Sequence, residues 1–512
     1  MESATTTGVE TATVPASLRR SNPAASDIAS NAAAASNGKA AEGATRIWKY
    51  RHVAAVHSKS RPSTLSHDSD STPSFLGFRN LMVIVLVAGN LRLVIENLQK
   101  YGNLICLTCH DIRRHDLLLG LGLYFLIPCF LWVALSIELF AAQQAKASRA
   151  LSARQGGTAS PTVDQTQVFR AMWIRVRWLH GINASLALSI TSWVVYNYIH
   201  HPLIGTATEI HAIIVWLKTA SYALTNRDLR HAYLHPVKGE LAALPEIYAQ
   251  CPYPQNITME NLAYFWWAPT LIYQPVYPRT ENIRWKYVLK RLGEVVCLSV
   301  FIWFCSAQYA APVLENSLAS IETLKFASIV ERILKLSTIS LVIWLAGFFA
   351  IFQSALNALA EITRFGDRTF YADWWNATSL RDYWNLWNKP VHAFMRRHVY
   401  SPMMGRGYGQ NLSFLAVFTV SAILHEMAVG VPTHNILGVA FLGMMFQLPL
   451  IVVTDWVKRA VGEPRGKIIG NCVFWVTFTI LGQPLAALIY YYAWQAKYGS
   501  VSKQVTTYIP SH

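Results

Sequence analysis

The amino-acid sequence predicts an all-α polytopic membrane protein in which about nine helices cross the bilayer. Hydrophobic residues make up 53% of the 512-residue chain and charged residues only 14%, with a mean hydropathy of +0.26. This composition is too apolar for a large soluble enzyme and is typical of membrane proteins. Nine stretches have the roughly 20 mostly apolar residues that a spanning helix needs, at 81–99, 117–142, 179–199, 205–224, 295–314, 336–359, 412–431, 436–454 and 471–494.

Lysine and arginine alternate between the connections of these predicted spans. One set of connections holds 34 of them and the intervening set holds six; the basic set comprises the segments up to residue 79, 143–178, 225–294, 360–411 and 455–470. Positive residues collect on the cytoplasmic side of membrane proteins. The pattern therefore predicts an odd number of spans, a cytosolic amino terminus and a lumenal carboxyl terminus. It also explains the net charge of +16 without nucleic acid, since the charges form no contiguous basic arm.

Residues 1–78 form an arm rich in Ala, Ser and Thr without apolar periodicity. Such a composition predicts a disordered cytosolic arm. A plastid or mitochondrial transit peptide is the alternative, although Glu2, Glu10, Asp27 and Glu42 make the arm more acidic than such peptides usually are. The membrane domain is predicted to occupy 79–495, and 496–512 is predicted to be a short lumenal tail.

The connection 360–411 is unusually rich in aromatic and basic residues, including four Trp between positions 374 and 387. Tyr383, Trp384, Trp387, Asn388 and Val391 have helical spacing, which predicts a cytosolic amphipathic helix. Aromatic rings with one apolar and one wet side suit the headgroup level of a bilayer. We therefore expect this segment to lie at the membrane–water interface, where it could simply anchor the fold.

Four polar residues lie inside the last three predicted spans. His425 and Glu426 are in the seventh span, roughly 20 Å from its cytosolic end, while Gln447 and Gln483 lie near the middle of the eighth and ninth. Unpaired polar groups are costly in hydrocarbon, so such residues are functional candidates. Because the three spans are consecutive and antiparallel, their polar groups could converge on one intramembrane chamber.

A buried histidine with amide groups around it is suited to direct acyl transfer to an alcohol. The histidine can take a proton from a hydroxyl, and amide N–H groups can stabilise the developing oxyanion. The basic cytosolic segment could then bind a phosphate-bearing acyl carrier such as coenzyme A, through Arg396, Arg397 or Arg406. Ser421, four residues before His425, is a weaker candidate nucleophile because it lacks an orienting acid.

The sequence predicts neither a metal site nor a bound cofactor. There is no H-E-x-x-H motif, no second Cys pair and no cluster of carboxylates. The stretch "CLTCH" at 106–110 fits the C-x-x-C-H haem-attachment pattern, but a chance match is favoured because no axial ligand can be assigned.

Three motifs resemble those of the membrane-bound O-acyltransferase superfamily: "FYADWWN" at 370–376, "WNKPVH" at 387–392 and "SAILHE" ending at Glu426. Within it, "NLRLVIENLQKYG" (90–102), "RFGDR" (364–368), "GMMFQLP" (443–449) and "LGQP" (481–484) are similar to the type 1 diacylglycerol acyltransferases. The segment "APTLIYQPVYPRTENIRW" (268–285) is close to the sterol acyltransferases as well. The acceptor therefore stays open between diacylglycerol and a sterol or wax alcohol.

The resemblance implies a role for each matching residue. His425 would be the catalytic base, Asn388 and Gln483 would line the reaction centre, Glu426 would support it, and Met444 and Gln447 would border the acceptor pocket. The acyl-CoA site would include Phe370, Tyr371, Asp373, Trp374, Trp375, Asn376, Trp387, His392, Arg396 and Arg397. Acyl-CoA is then a substrate, and no cofactor is expected.

The resemblance also implies nine helices around a tunnel and a place in the endoplasmic reticulum membrane. It implies a homodimer or homotetramer, with acyl-CoA, diacylglycerol and the bilayer as partners. A transporter or channel is the alternative from another class. No internal repeat of the kind found in many transporters is visible in the sequence, and consumption of acyl-CoA by the purified protein would separate the two.

Overall fold

The structure is a computed structural model that describes residues 52, 55, 57–66, 73–88, 99–102, 104, 113–154, 163–234, 244–322, 326–462 and 465–507. Within these ranges the regular structure is helical, and the only extended pairings are two isolated bridges, between Arg61 and Asp367 and between Arg279 and Phe365. Most of the predicted disordered arm, the "CLTCH" stretch and much of the predicted first span lie outside the described residues.

Seven helices are defined among the described residues up to position 322. They are α1 (Leu76–Ala88), α2 (Arg114–Arg154), α3 (Val163–Tyr198), α4 (Pro202–Leu234), α5 (Met259–Trp267), α6 (Trp285–Cys305) and α7 (Ala311–Glu322). A 3-10 turn at Glu246–Gln250 precedes α5, and a π turn at Ser306–Ala310 joins α6 directly to α7. The long helices α2, α3 and α4 pack against one another.

Ten further helices are defined among the described residues from position 326 onward. They are α8 (Phe326–Phe348), α9 (Leu356–Ile362), α10 (Leu380–Leu386), α11 (Lys389–Met395), α12 (Ser401–Met404), α13 (Gln410–Gly430), α14 (Val439–Met445), α15 (Gln447–Val461), α16 (Arg465–Val476) and α17 (Gln483–Thr507). Three π turns, Phe349–Ala355, Arg396–Tyr400 and Thr477–Gly482, join α8 to α9, α11 to α12 and α16 to α17. Such turns are frequent at functional sites.

Five helical segments among the described residues are long and apolar enough to cross a membrane. They are Arg114–Ala150, Phe326–Ile362, Gln410–Gly430, Val439–Val461 and Arg465–Ala496. The chain is therefore a multi-pass membrane protein. Helices cover eight of the nine predicted ranges, and α1 covers only the start of the first. The exact count of nine spans stays a prediction.

Helix α4 is long enough to cross a membrane, but it is too polar to be one of the five apolar segments. It has 33 residues, which corresponds to about 50 Å, and it covers the whole predicted span 205–224. It buries polar residues, among them Glu209, Lys218 and Asn226, against neighbouring protein. Lys218 Nζ donates to the backbone carbonyls of Phe265, Trp266 and Ala268, at 2.8–2.9 Å. Because these carbonyls satisfy the Lys218 ammonium, this charged group can be buried within the helix.

The described part of the amino-terminal arm is ordered, which corrects the prediction of disorder for those residues. His52 and Ser63 are buried. The ring of His57 lies between the Asp367 carboxylate and the Thr270 hydroxyl, at 2.8 Å from each. This segment lacks apolar periodicity because polar contacts hold it in place. A search for hydrophobic repeats therefore cannot detect its order.

Candidate active site

One side of α13 carries the predicted catalytic histidine and faces the protein interior. Successive helix residues are 100° apart, so Phe414, Phe418 and Ser421 lie within about 40° of His425 around the helix. The Phe414 ring is 5.2 Å from the ring of Tyr400, and the Phe418 ring is 6.0 Å from that of Trp384. Tyr400 and Trp384 belong to the connection 360–411, so this side of the helix faces that connection.

The opposite side of α13 is apolar. Leu412 and Ile423 lie about 140–160° around the helix from His425, and both are exposed. The side chain of His425 is also accessible, but on the inward side of the helix. The accessible surface of α13 is therefore of two kinds, one that suits lipid and one that suits a polar chamber.

The backbone orients the ring of His425. Its Nδ1 lies 2.8 Å from the carbonyl oxygen of Ser421, and the Ser421 hydroxyl is more distant from Nδ1, at 3.4 Å. A carbonyl oxygen can only accept, so Nδ1 carries the proton and Nε2 carries the lone pair. No described side chain bonds Nε2, which leaves this atom free to accept a proton from a substrate. Ser421 thus contacts the His425 ring mainly through its backbone carbonyl.

Glu426, next to this histidine, has a different environment. It is buried, and three donors surround its carboxylate: the backbone N–H groups of Gly438 at 2.8 Å and Phe441 at 3.1 Å, and the hydroxyl of Tyr490 at 2.8 Å. These bonds join α13 to the start of α14 and to α17. The structure thus puts Glu426 on a different side of the helix from His425, and its supporting role stays a prediction.

Asn388 begins α11, within the connection 360–411. Its Oδ1 accepts from the backbone N–H of Val391 at 3.2 Å and caps the helix. The Nδ2 hydrogens, which this bond does not use, can donate to a substrate oxygen. Val391, one turn further on, packs in the same apolar cluster as Leu424 of α13. The helices that follow Asn388 and carry His425 therefore pack against one shared apolar cluster.

The "FYADWWN" motif forms a loop beneath these short helices. The backbone N–H of Lys389 donates to the Phe370 carbonyl, and that of Ala372 donates to the Leu386 carbonyl, both at 2.9 Å. The Tyr371 hydroxyl donates to Gln353 Oε1, at 2.6 Å, in the π turn between α8 and α9. The motif thus fixes the point at which α10 ends and α11 begins.

Most aromatic rings of this motif lie in the protein core, which corrects the expectation of a headgroup-level belt. Trp374 and Trp375 are fully buried, with 0% exposure. The Trp374 ring is 5.2 Å from that of Trp344 and 5.7 Å from that of Trp475. Tyr383 of α10 is also buried, while Trp387 is half-buried and stacks on it at 5.8 Å. Helical spacing predicts that one side is buried but cannot distinguish burial in lipid from burial in protein.

The polar residues of the motif attach this core to the chain on either side. Asn376 Nδ2 donates to the Asp373 carboxylate at 3.2 Å, and the Asn376 amide also bonds Ser74 and Gly77 before and within α1. Asn471 of α16 donates to the carbonyl of Trp375, at 3.0 Å. Phe370, Tyr371, Trp374, Trp375 and Asn376 therefore hold the loop in place. Direct contact of these residues with acyl-CoA stays a prediction.

The two arginines predicted to bind the acyl carrier have opposite positions. Arg396 is exposed, whereas Arg397 is 5% exposed and its guanidinium donates to the backbone carbonyl of His52. The His398 ring that follows is buried between the hydroxyl of Ser221 and the ring of His52, at 2.8 Å from each. Arg396 is therefore accessible to a ligand, and Arg397 stabilises the ordered part of the arm.

Several basic groups surround Arg396. Burial lowers the pKa of Lys389, and nearby Arg61 and Arg396 lower it further against the opposing effect of Asp373. Burial, with the charges of Lys389 and Arg396, lowers the pKa of His392 to about 4, so this imidazole is neutral at pH 7. Neither Lys389 nor Arg61 was predicted from the sequence to lie at this site. The lysine lies inside the "WNKPVH" motif, but the arginine comes from the arm and only the fold brings it here.

The predicted acceptor residues lie at the junction of α14 and α15. Met444 is buried in the main core, and Gln447 is half-buried with its Nε2 donating to the Gly443 carbonyl at 3.2 Å. The turn at Phe446 divides the predicted eighth span into two helices at this point. The Gln483 side chain lies outside the described residues. Among the residues that are described, no group of three or more His, Cys, Asp or Glu could hold a metal ion.

Comparison with known proteins identifies the family to which the chain belongs. Residues 248–492 match the family described as MBOAT, membrane-bound O-acyltransferase family. The chain is 37% identical to Diacylglycerol O-acyltransferase 1A of Glycine max, over 87% of this chain and 83% of the relative. It is 36% identical to Diacylglycerol O-acyltransferase 1 of Arabidopsis thaliana, over 90% and 81%, and 35% identical to Diacylglycerol O-acyltransferase 1-2 of Oryza sativa subsp. japonica, over 87% of each. The chain therefore belongs to the membrane-bound O-acyltransferase family and resembles its type 1 diacylglycerol O-acyltransferases.

Proposed function

We propose that the protein transfers a fatty acyl group from acyl-CoA to the free hydroxyl of diacylglycerol and so forms triacylglycerol. This proposal rests mainly on which nitrogen of the His425 ring carries the proton. The Ser421 carbonyl holds the proton of the ring on Nδ1 and leaves Nε2 as a base on the inward side of α13. The names of the relatives, which are diacylglycerol O-acyltransferases over most of the chain, support the choice of substrates.

In the proposed reaction His425 Nε2 takes the proton of the acceptor hydroxyl while that oxygen attacks the thioester carbonyl carbon. The carbonyl oxygen becomes an oxyanion, to which Asn388 Nδ2 donates, since Oδ1 of the same amide already bonds the N–H of Val391. The intermediate collapses with cleavage of the carbon–sulfur bond. The thiolate of coenzyme A takes the proton back from Nε2, so the histidine returns to its first state and no covalent acyl-enzyme forms.

The cytosolic segment would hold the acyl donor. Exposed Arg396, with Lys389 and Arg61 near it, offers cations to the phosphate groups of coenzyme A. His392 is neutral at pH 7 and would act as a hydrogen-bonding partner rather than as a cation. The lipid acceptor would approach from the bilayer, beside Met444 and Gln447.

The cellular setting forms part of the same proposal. The charge alternation supports a cytosolic amino terminus. Placement in the endoplasmic reticulum membrane and assembly as a homodimer or homotetramer follow from the resemblance alone. Protease protection of tagged protein in sealed microsomes would test the side of the membrane on which the amino terminus lies. The mass of the protein in detergent would test its assembly.

An acceptor competition tests the proposed activity. Microsomes that contain the protein are given oleoyl-CoA together with diacylglycerol, a sterol and a long-chain alcohol, and each ester is quantified. Triacylglycerol should dominate. Comparable formation of steryl or wax ester would transfer the assignment to another acceptor within the same family, and consumption of no acyl-CoA would contradict acyl transfer itself.

A further inference from the structure

The start of α14 is held by side chains from two other helices. The first N–H groups of a helix have no partner within the helix. Here Glu426 of α13 accepts from Gly438 and Phe441, and the hydroxyl of Tyr490, on α17, accepts from the N–H of Ala440 at 3.1 Å. The same hydroxyl donates to Glu426 at 2.8 Å. One carboxylate and one phenol thus satisfy three backbone donors and also bond each other.

The chain before α14 lies unusually close to α13. Gly438 has a left-handed conformation, with φ of 75°, and so suits glycine. At Gly430 an added Cβ would lie 3.0 Å from Glu426 Oε1 and 3.1 Å from the carbonyl oxygen of Asn435. This glycine therefore permits the close approach that brings the backbone of α14 to the Glu426 carboxylate.

Helix α14 depends on this arrangement for its position. It has only seven residues, and so short a helix has little stability of its own. It carries Met444 and leads directly into Gln447, the two residues assigned to the acceptor pocket. A change at its first turn should therefore alter the acceptor pocket without changing the cytosolic segment, where Arg396 lies.

We propose that Tyr490 is a positioning residue for the lipid acceptor. Together with Glu426 it fixes α14, and through α14 it fixes Met444 and Gln447. This inference rests on the proposed function, because that function assigns the acceptor to α14. Tyr490 itself is buried and bonds only protein groups among the described contacts, so it acts on the acceptor through the helix.

The test is Tyr490→Phe, which removes only the hydroxyl, with Tyr491→Phe as the matched control. The hydroxyl of Tyr491 bonds the side chain of Gln495, at 3.0 Å, and has no part in this arrangement. The kcat and KM of each variant are measured for both substrates. Tyr490→Phe should raise the KM for diacylglycerol about tenfold with the KM for acyl-CoA unchanged. Tyr491→Phe should match the wild type.

A double-mutant cycle with Glu426→Gln provides a second readout. If the two side chains act as one unit, adding Tyr490→Phe to Glu426→Gln should change the KM for diacylglycerol less than twofold further. Because KM does not depend on the amount of enzyme, reduced insertion of a variant does not obscure either result. Equal rises in both KM values, a wild-type KM in Tyr490→Phe, or fully additive effects would overturn the inference.

The proposed function can fail separately from this inference. A wild-type protein that makes no triacylglycerol contradicts the choice of diacylglycerol as acceptor. The comparison of Tyr490→Phe with Tyr491→Phe is then made with the alcohol that the wild type does acylate. A selective rise in the KM for that alcohol would still support the positioning role, and its absence would reject it.

Discussion

His425 and Glu426 are neighbours in sequence, yet they occupy two contrasting regions of the protein. His425 has one bond from its ring to the backbone and an accessible Nε2, whereas Glu426 is buried and bonds three donors from α14 and α17. A group that exchanges a proton with substrate must keep a free position, and a group that fixes a helix must have none. Helix α13 therefore carries the proposed base on one side and the group that fixes the neighbouring helices on another.

The largest expected effect tests the reactive side of this comparison. His425→Ala and His425→Gln should insert normally but lose about 10²- to 10⁴-fold in turnover, because the general base is absent. Turnover is measured in microsomes and normalised to the amount of inserted protein. Retention of more than a tenth of wild-type turnover would remove His425 from the proposed mechanism.

The next effect concerns the close packing around Glu426. Gly430→Ala places a methyl group 3.0 Å from Glu426 Oε1 and 3.1 Å from the backbone of Asn435, so the protein should lose about 1–3 kcal/mol of stability. The thermal unfolding midpoint in detergent reports this loss. Gly293→Ala is the control, since its Cβ would enter open space on α6. Equal midpoints for the two variants would show that the contact at Glu426 can relax.

Arg396 and Arg397, which follow α11, show the same contrast: the first is accessible and the second is buried and bonded. Arg396→Ala should raise the KM for acyl-CoA several-fold, up to about tenfold, and leave the KM for the acceptor unchanged, since a charged contact to the donor is lost. Arg397→Ala should instead lower the unfolding midpoint, because the buried carbonyl of His52 loses the guanidinium donor and keeps the Thr225 hydroxyl. An unchanged KM for acyl-CoA in Arg396→Ala would assign Arg396 to lipid headgroups.

The smallest expected effect concerns the acceptor residue on α15. Gln447→Asn shortens the side chain that reaches the Gly443 carbonyl and should lower triacylglycerol formation by about three- to tenfold. Sterol esterification should not appear, because the shape of the pocket must change as well. Parallel assays with both acceptors measure the ratio. Efficient sterol esterification by this variant would identify the amide alone as the determinant of the acceptor.

The sequence alone predicted the helical membrane fold, and it also singled out His425 as the candidate base. Apolar runs of fixed length, alternating charge and an ionisable pair inside a span are local features, and the bilayer gives each of them one physical meaning. The family motifs added Asn388, Met444 and Gln447, whose roles stay predictions. The fold prediction succeeds because it depends only on residues that are close together in the chain.

Tertiary structure alone decided which polar residues are free and which are bonded. The sequence does not distinguish Arg396 from Arg397, or reveal that residues 57–66 pack against 366–371, or that Tyr490 reaches Glu426 from 64 positions away. Trp374 and Trp375 are of the residue type that is common in a membrane-surface belt, but they lie in the protein core. Burial and hydrogen bonding depend on which distant segments meet, and residue type and spacing leave that undetermined.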